Sequence, residues 1–326
     1  MKNILITGGA GFIGYHLADC YSKKNYKVYI LDNFFKRKSK DKEFIDLIKR
    51  KNVFFYNIDL TKDFSKLKLK TRNFDIVYHF AAINGTSLFY EMPYEVCSSN
   101  ILMTINLINW AKFNNIKKFI FSSSSEVYSQ GLRNNLIKIP TPENSIMAFD
   151  YPFQKRISYG LSKLIGEFLF LNLPNKKKSN CCVVRFHNIY GPRMGFKHVI
   201  PEFIEKIKKN KNNLIICGGK QTRAFCYISD ALEALIRLGK KNKINNETFN
   251  IGNPNQEVKI YKLANMIKKL MNKDLKMIDQ GPPEGSVNRR SPNISKLKKF
   301  TKYQPKIKLN EGLKNTVSWY LEELKK

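Results

Sequence analysis

The sequence predicts an α/β fold, a doubly wound parallel sheet with a smaller C-terminal α/β lobe. Three observations predict it. Short apolar runs alternate with longer amphipathic ones through the first half of the chain. A glycine-rich loop joins the first apolar run to the first amphipathic stretch. The last third changes character, with helical stretches separated by short strands. Alternating strands and helices imply crossover connections, and these give a parallel sheet covered on both faces.

Taken in order, the strands are expected at 3–7, 27–31, 53–58, 76–80, 118–121 and 182–186, and the helices between them near 13–23, 43–49, 100–113 and 158–171. The last third is expected to hold helices at 201–208, 229–238, 259–271 and 310–324, with short strands at 214–216 and 248–251. Residues 1–187 then form a nucleotide-binding domain. Residues 188–326 form mainly a second lobe, with some chain crossing back. A length of 326 residues suffices for one large core and an appended smaller one.

Composition narrows the class. The hydrophobic fraction of 43% is ordinary for a globular protein, and no apolar run is long enough to cross a bilayer. The opening apolar run is too short for a signal peptide and leads straight into the glycine loop. The expectation is a soluble, cytoplasmic protein with no membrane partner. Cys20, Cys97, Cys181, Cys182, Cys217 and Cys226 show no paired ligand spacing, so they read as reduced, packed thiols and no metal is expected. The net charge is +32, yet only 11 of the 58 basic residues are arginine and the lysines are scattered. With no nucleic-acid motif in view, this reads as a solvated basic surface whose field draws in an anionic, diphosphate-bearing ligand.

The first strand runs into Gly8-Gly9-Ala10-Gly11-Phe12-Ile13-Gly14 and then a helix. Gly8 permits the tight turn, Gly11 lets the backbone approach a pyrophosphate, and Gly14 allows close helix–strand packing. The helix N-terminus offers N–H groups to phosphate oxygens. Asp32 ends the second strand, where a carboxylate accepts from ribose hydroxyls and repels a 2′-phosphate, favouring NAD over NADP. The basic cluster Lys36-Arg37-Lys38 pulls weakly the other way.

Tyr159 and Lys163 stand four apart, on one helix face. An ammonium beside a phenol favours phenolate, a base able to take a proton from a hydroxyl as hydride leaves. The run Ser122-Ser123-Ser124-Ser125 followed by Glu126 closes the fifth strand, where ligands bind in open α/β sheets. Ser124 is placed to relay a proton or hold the reacting hydroxyl, and Glu126 to act as acid or base on a neighbouring carbon. A polar turn capping a strand is the structural alternative.

With these motifs, Asp32-Asn33-Phe34-Phe35, His79-Phe80-Ala81-Ala82 and Asn188-Ile189-Tyr190-Gly191-Pro192-Arg193 complete a pattern spanning nearly the whole chain. It resembles the extended short-chain dehydrogenases/reductases that act on nucleotide sugars. Ser125-Glu126-Val127-Tyr128 and Gly218–Phe225 look like UDP-glucuronate decarboxylases, while 185–192 is similar to GDP-mannose 3,5-epimerases. The resemblance implies a Rossmann lobe, a C-terminal substrate lobe, tightly held NAD, a nucleotide-diphosphate sugar as substrate and a homodimer formed through two helices per subunit. It implies that Gly8, Gly11, Phe12, Ile13 and Gly14 hold the pyrophosphate. Asp32 would hold the ribose, with Asn33 beside it. Asp59 and Leu60 would flank adenine, and Ala81 and Ala82 the cofactor path, with Tyr159 and Lys163 at the nicotinamide end. Asn188, Arg193, Arg223 and Arg290 would contact substrate, Arg290 reaching the active site as well.

The chemistry implied is transient oxidation at sugar carbon 4, after which the ketone permits epimerisation at carbon 5, dehydration across carbons 5 and 6, or decarboxylation. Glu126 favours chemistry at carbon 5 or 6. The 3,5-epimerases carry cysteine where this chain has Glu126, which weakens that particular exit. The reading is an NAD-dependent nucleotide-sugar epimerase/dehydratase. Decarboxylation is the named alternative, and a non-catalytic NAD-binding sensor the alternative of another class.

Overall fold

The structure is a computed structural model that describes residues 1–35, 41–173, 180–210, 212–242, 244 and 246–325. The cluster Lys36-Arg37-Lys38 lies outside the described residues. Seven strands form the central sheet: β1 (Asn3–Thr7), β2 (Lys27–Asp32), β3 (Val53–Asn57), β4 (Ile76–His79), β5 (Lys118–Ser124), β6 (Asn180–Phe186) and β7 (Glu247–Ile251). They are all parallel, in the spatial order β3-β2-β1-β4-β5-β6-β7. The order reverses between β1 and β4, and the crevice outside that point is where such sheets bind ligands.

The strands are near-continuous apolar runs because both faces are buried. In β1, Ile4 and Ile6 enter one core with Leu17 and Ala18 of helix α1 (Phe12–Lys23), while Leu5 enters the other. That second core holds Leu107 and Trp110 of helix α2 (Pro93–Ala111) and Tyr159 and Phe170 of helix α3 (Ile157–Leu171). The period-2 alternation of side chains divides each strand between these layers. Helix α2 starts earlier than the apolar pattern indicated, at Pro93, which suits the first helical position because its missing N–H would have had no partner there.

Strand β7 departs from expectation. Residues 248–251 read as a small strand of the last third, yet β7 pairs with β6 through Glu247↔Cys182 to Ile251↔Phe186 and closes the main sheet. Its Phe249 and Ile251 are fully buried in the first core, and only the long-range pairing determines which sheet takes such a short apolar run. A third core gathers Tyr190, Ile204, Leu214, Leu263, Leu313 and Tyr320 from the last third. Beside it a small sheet places Thr222–Ala224 between Glu257–Lys259 and Arg289–Arg290. No helix among the described residues is long and apolar enough to cross a membrane.

Candidate active site

The carboxyl ends of β1, β4 and β5 converge on one crevice. At the end of β1, Gly8 has φ +72°, a left-handed conformation that glycine adopts without cost. A Cβ on Gly14 would stand 2.2 Å from the Gly8 carbonyl oxygen, so only glycine lets α1 pack this close to the loop. Gly11 caps α1 without any side-chain hydrogen bond, leaving the first-turn N–H groups of Phe12, Ile13 and Gly14 for an anion. Asp32 ties the loop to the end of β2: one carboxylate oxygen accepts from the Ala10 N–H (3.0 Å), the other from the Phe34 N–H (2.8 Å). Asn33 accepts from the Phe35 N–H, and Asp59 from the Thr61 N–H and hydroxyl, two side-chain turns after neighbouring strands. Leu60 is buried beneath them in the second core. The Ala81 N–H donates to Thr7 Oγ1 at 3.3 Å, holding Ala81 and Ala82 beside the glycine loop. This cradle of a left-handed turn, an uncapped helix start and a carboxylate at the next strand end fits a dinucleotide.

Each serine of the run does something different. Ser122 Oγ accepts from Lys163 Nζ at 3.5 Å, and Ser123 donates to Glu167. Ser124 Oγ accepts from the Glu126 N–H (3.2 Å) and so caps the short 3₁₀ turn Ser125–Tyr128. Ser125 Oγ accepts from Arg290 Nη1 at 3.5 Å. Helix α3 lies tight on β5, because a Cβ on Gly166 would fall 2.3 Å from the Phe121 ring. This brings Tyr159 and Lys163 over the strand end. Tyr159 stacks on Phe89, with ring centroids 5.0 Å apart and planes 9° from parallel, and Lys163 Nζ lies 5.6 Å from the Tyr159 ring centre.

The phenol differs from expectation. Burial and the Glu126 carboxylate push Tyr159 above its ordinary pKa, because both disfavour phenolate.

Glu126 is the centre of the site. Its carboxylate accepts from Arg290 Nη1 (2.7 Å), Ser129 Oγ (2.7 Å) and, more loosely, Arg156 Nη2 (3.4 Å). Burial opposes ionisation, but the two guanidiniums and the hydrogen bonds outweigh it and hold the carboxyl far below its usual range. Arg290 and Arg223 are cross-strand neighbours in the small sheet. Partial burial and that adjacent charge press Arg223 down to about 9. Asn188, left-handed at φ +43°, donates to the Ala224 carbonyl at 3.2 Å beside Arg223. A small cleft reaches Glu126 between Ser129, Arg156, Gly160 and Gly285.

Arg193 is a correction. The expected substrate contact donates instead to Asp41 (2.9 and 2.8 Å) and Glu43, and its guanidinium covers the Tyr15 ring at 3.7 Å. Two carboxylates and an aromatic face engage it, so it straps the region after β6 to the helix Lys42–Ile48. Arg156, Ser129 and Tyr90 were missed in the sequence. Arg156 stands three residues before Tyr159, on the same helix face, and that spacing was the available signal.

A family model described as the NAD dependent epimerase/dehydratase family matches residues 4–252. The chain belongs to that family. NAD is accordingly the cofactor of this epimerase/dehydratase family member. It is 34% identical to a UDP-N-acetyl-alpha-D-glucosaminuronate decarboxylase of Bacillus cytotoxicus, with 98% of each chain covered. It is 31% identical to a human dTDP-D-glucose 4,6-dehydratase, covering 98% of this chain and 90% of that one. The crystal structure of a UDP-glucuronic acid 4-epimerase from Bacillus cereus, in complex with UDP-glucuronic acid and NAD, superposes with a TM-score of 0.83 at 27% identity, covering 99% of this chain and 100% of that one. A decarboxylase, a dehydratase and a 4-epimerase stand among these relatives, so likeness alone does not choose the reaction.

Proposed function

We propose that this family member decarboxylates a nucleotide-linked uronate by transient oxidation at sugar carbon 4. The observation that carries the reading is the state of Glu126. Dehydration and carbon 5 epimerisation both need a base that takes up the carbon 5 proton. Among the described residues lining the cleft Glu126 is the one acid, and two arginines and a serine hydroxyl keep it ionised and saturated. A carboxylate held that far below the ordinary range is a poor proton acceptor. Decarboxylation needs no such base, and the surplus of guanidinium over carboxylate suits a substrate that brings its own carboxylate.

In this reading Tyr159 takes the proton of the carbon 4 hydroxyl, with Lys163 and Ser122 beneath it. NAD, when bound, supplies the hydride acceptor. The ketone left at carbon 4 is β to the carboxylate on carbon 6. The bond between carbons 5 and 6 then breaks, its electron pair moves into the enolate, carbon dioxide leaves, and carbon 5 keeps its own hydrogen and gains one more proton from solvent; return of the hydride to carbon 4 and of the Tyr159 proton to its oxygen would make the oxidation transient. In this reading Asn188, Arg223 and Arg290 contact the substrate. UDP-linked uronates are the first candidates, since the B. cytotoxicus relative is by name a decarboxylase of one and the B. cereus structure holds another. Mass spectrometry of nucleotide sugars incubated with the NAD-loaded protein in deuterated water tests this. Carbon dioxide loss from a uronate is expected, with one deuterium at carbon 5. Loss of water from a neutral hexose, with uronates returned intact, overturns the reading.

We also propose that the protein works in the cytoplasm as a homodimer through α2 and α3. Leu102 and Ile105 on α2 and Phe168 on α3 are 46%, 38% and 66% exposed, an apolar area that pairing would cover. Phe168→Glu is expected to convert a dimer to a monomer in sedimentation. A wild-type protein that sediments as a monomer refutes the assembly.

A further inference from the structure

We infer that Arg156 is the receptor for the sugar's carbon 6 carboxylate and so selects uronates over neutral hexoses. This rests on the decarboxylase reading only for the presence of that carboxylate in the substrate, not for its fate. Three observations lead to it.

The first is position. Arg156 starts α3, one turn before Tyr159, and lines the cleft beside Glu126 and Gly160. The fit is close, since a Cβ on Gly160 would lie 2.9 Å from the Glu126 carbonyl oxygen. Carbon 6 lies two bonds from carbon 4, so the group that binds its carboxylate stands close to Tyr159, and Arg156 is one helical turn away along the chain.

The second is unused bonding capacity. The Arg156 side chain is 8% exposed, yet its Nε has no hydrogen-bond partner. Its two contacts through the terminal nitrogens are long, 3.4 Å to Glu126 and 3.2 Å to the Tyr90 hydroxyl. Arg290 holds the same Glu126 at 2.7 Å and Ser129 at 2.8 Å, so Glu126 already has its principal cation. The Nε donor is left idle beside a terminal nitrogen whose contact is long, and a carboxylate can meet such a fork with two parallel hydrogen bonds.

The third is charge balance. Arg156, Arg223 and Arg290 act electrostatically on one another around a single Glu126 carboxylate. In this reading the diphosphate answers Arg223, whose cross-strand neighbour Arg290 is already engaged by Glu126 and Ser129. Arg156 lies apart from that sheet, at the N-cap of α3, and the remaining anionic group of such a substrate is the carboxylate. Tyr90 and the segment around Gly285 hold Arg156 in place. The Tyr90 hydroxyl donates to the Glu284 carbonyl at 2.5 Å, and a Cβ on Gly285, at φ +68°, would meet Gln154 at 2.8 Å and Arg156 at 3.3 Å.

The test compares dissociation constants for UDP-glucuronate, UDP-glucose and UDP in the NAD-loaded wild type, Arg156→Gln and Arg156→Lys. The glutamine variant is expected to weaken UDP-glucuronate roughly thirtyfold, the range for a hydrogen-bonded charge. UDP-glucose and UDP should bind within about twofold of wild type, which also shows that the variant is folded. Lysine should restore part of the loss, because it keeps the charge and loses the fork. Equal weakening of all three ligands, no weakening of any, or a wild type that binds UDP-glucose as tightly as UDP-glucuronate overturns the inference. Carbon dioxide release by the wild type is scored separately, so Arg156 can be shown to select uronates even where the fate of the carboxylate proves to be different.

Discussion

Tyr159→Phe is expected to lower kcat by about a thousandfold while leaving the fold and ligand affinity in place. The magnitude is that of losing a positioned general base. The fold should survive because the ring keeps what packs it: the parallel stack on Phe89 and its place in the second core. The hydroxyl is what disappears, and no other group on this helix face stands in for it. Lys163 reaches Ser122, and Ser124 caps the Glu126 turn. The elevated phenol pKa adds a second expectation to the same experiment. Burial and Glu126 keep the phenol protonated at neutral pH in the protein alone, so wild-type turnover should climb as pH rises above neutrality while the residual activity of the phenylalanine variant stays flat. Single-turnover rates at several pH values, with UDP binding measured alongside, decide it. A variant within tenfold of wild type would remove Tyr159 from the chemistry.

The second large effect concerns stability. Arg185 and Glu167 form a bidentate pair at 2.8 and 2.6 Å, with side chains only 7% and 4% exposed. Arg185 also donates to the Tyr128 hydroxyl (2.7 Å) and the Glu143 carbonyl (2.8 Å), and Tyr128 donates to Asn250 of β7 at 3.0 Å. This network anchors from below the same turn that presents Glu126 above. Glu167→Gln leaves a buried guanidinium without its counter-charge and is expected to cost about 3–5 kcal/mol. Arg185→Met with Glu167→Gln together should recover much of that, since the uncompensated charge is then gone. Denaturant midpoints for the two variants and wild type read this directly. If the single variant unfolds at the wild-type midpoint, the pair is not structurally important.

Much of this protein was decided within short stretches of sequence. The first six central strands were legible because each is an apolar run buried on both faces, and the glycine loop because its turn and helix start are local geometry. Tyr159 and Lys163 were legible as a pair because helical spacing puts them on one face. What tertiary structure decided is everything that depends on residues far apart in sequence. It moved residues 247–251 into the main sheet, because any short apolar run can pair with either sheet until a neighbour with free backbone groups is brought alongside. It took Arg193 away from the substrate and gave it to Asp41 and Glu43, some 150 positions distant. Above all it set the charge state of Glu126. In the sequence that glutamate was a candidate acid or base. Arg290, 164 positions away, and Arg156, 30 positions away, converge on it in the fold. A carboxylate's proton affinity is fixed by the charges and dielectric around it, and only the folded chain brings those together.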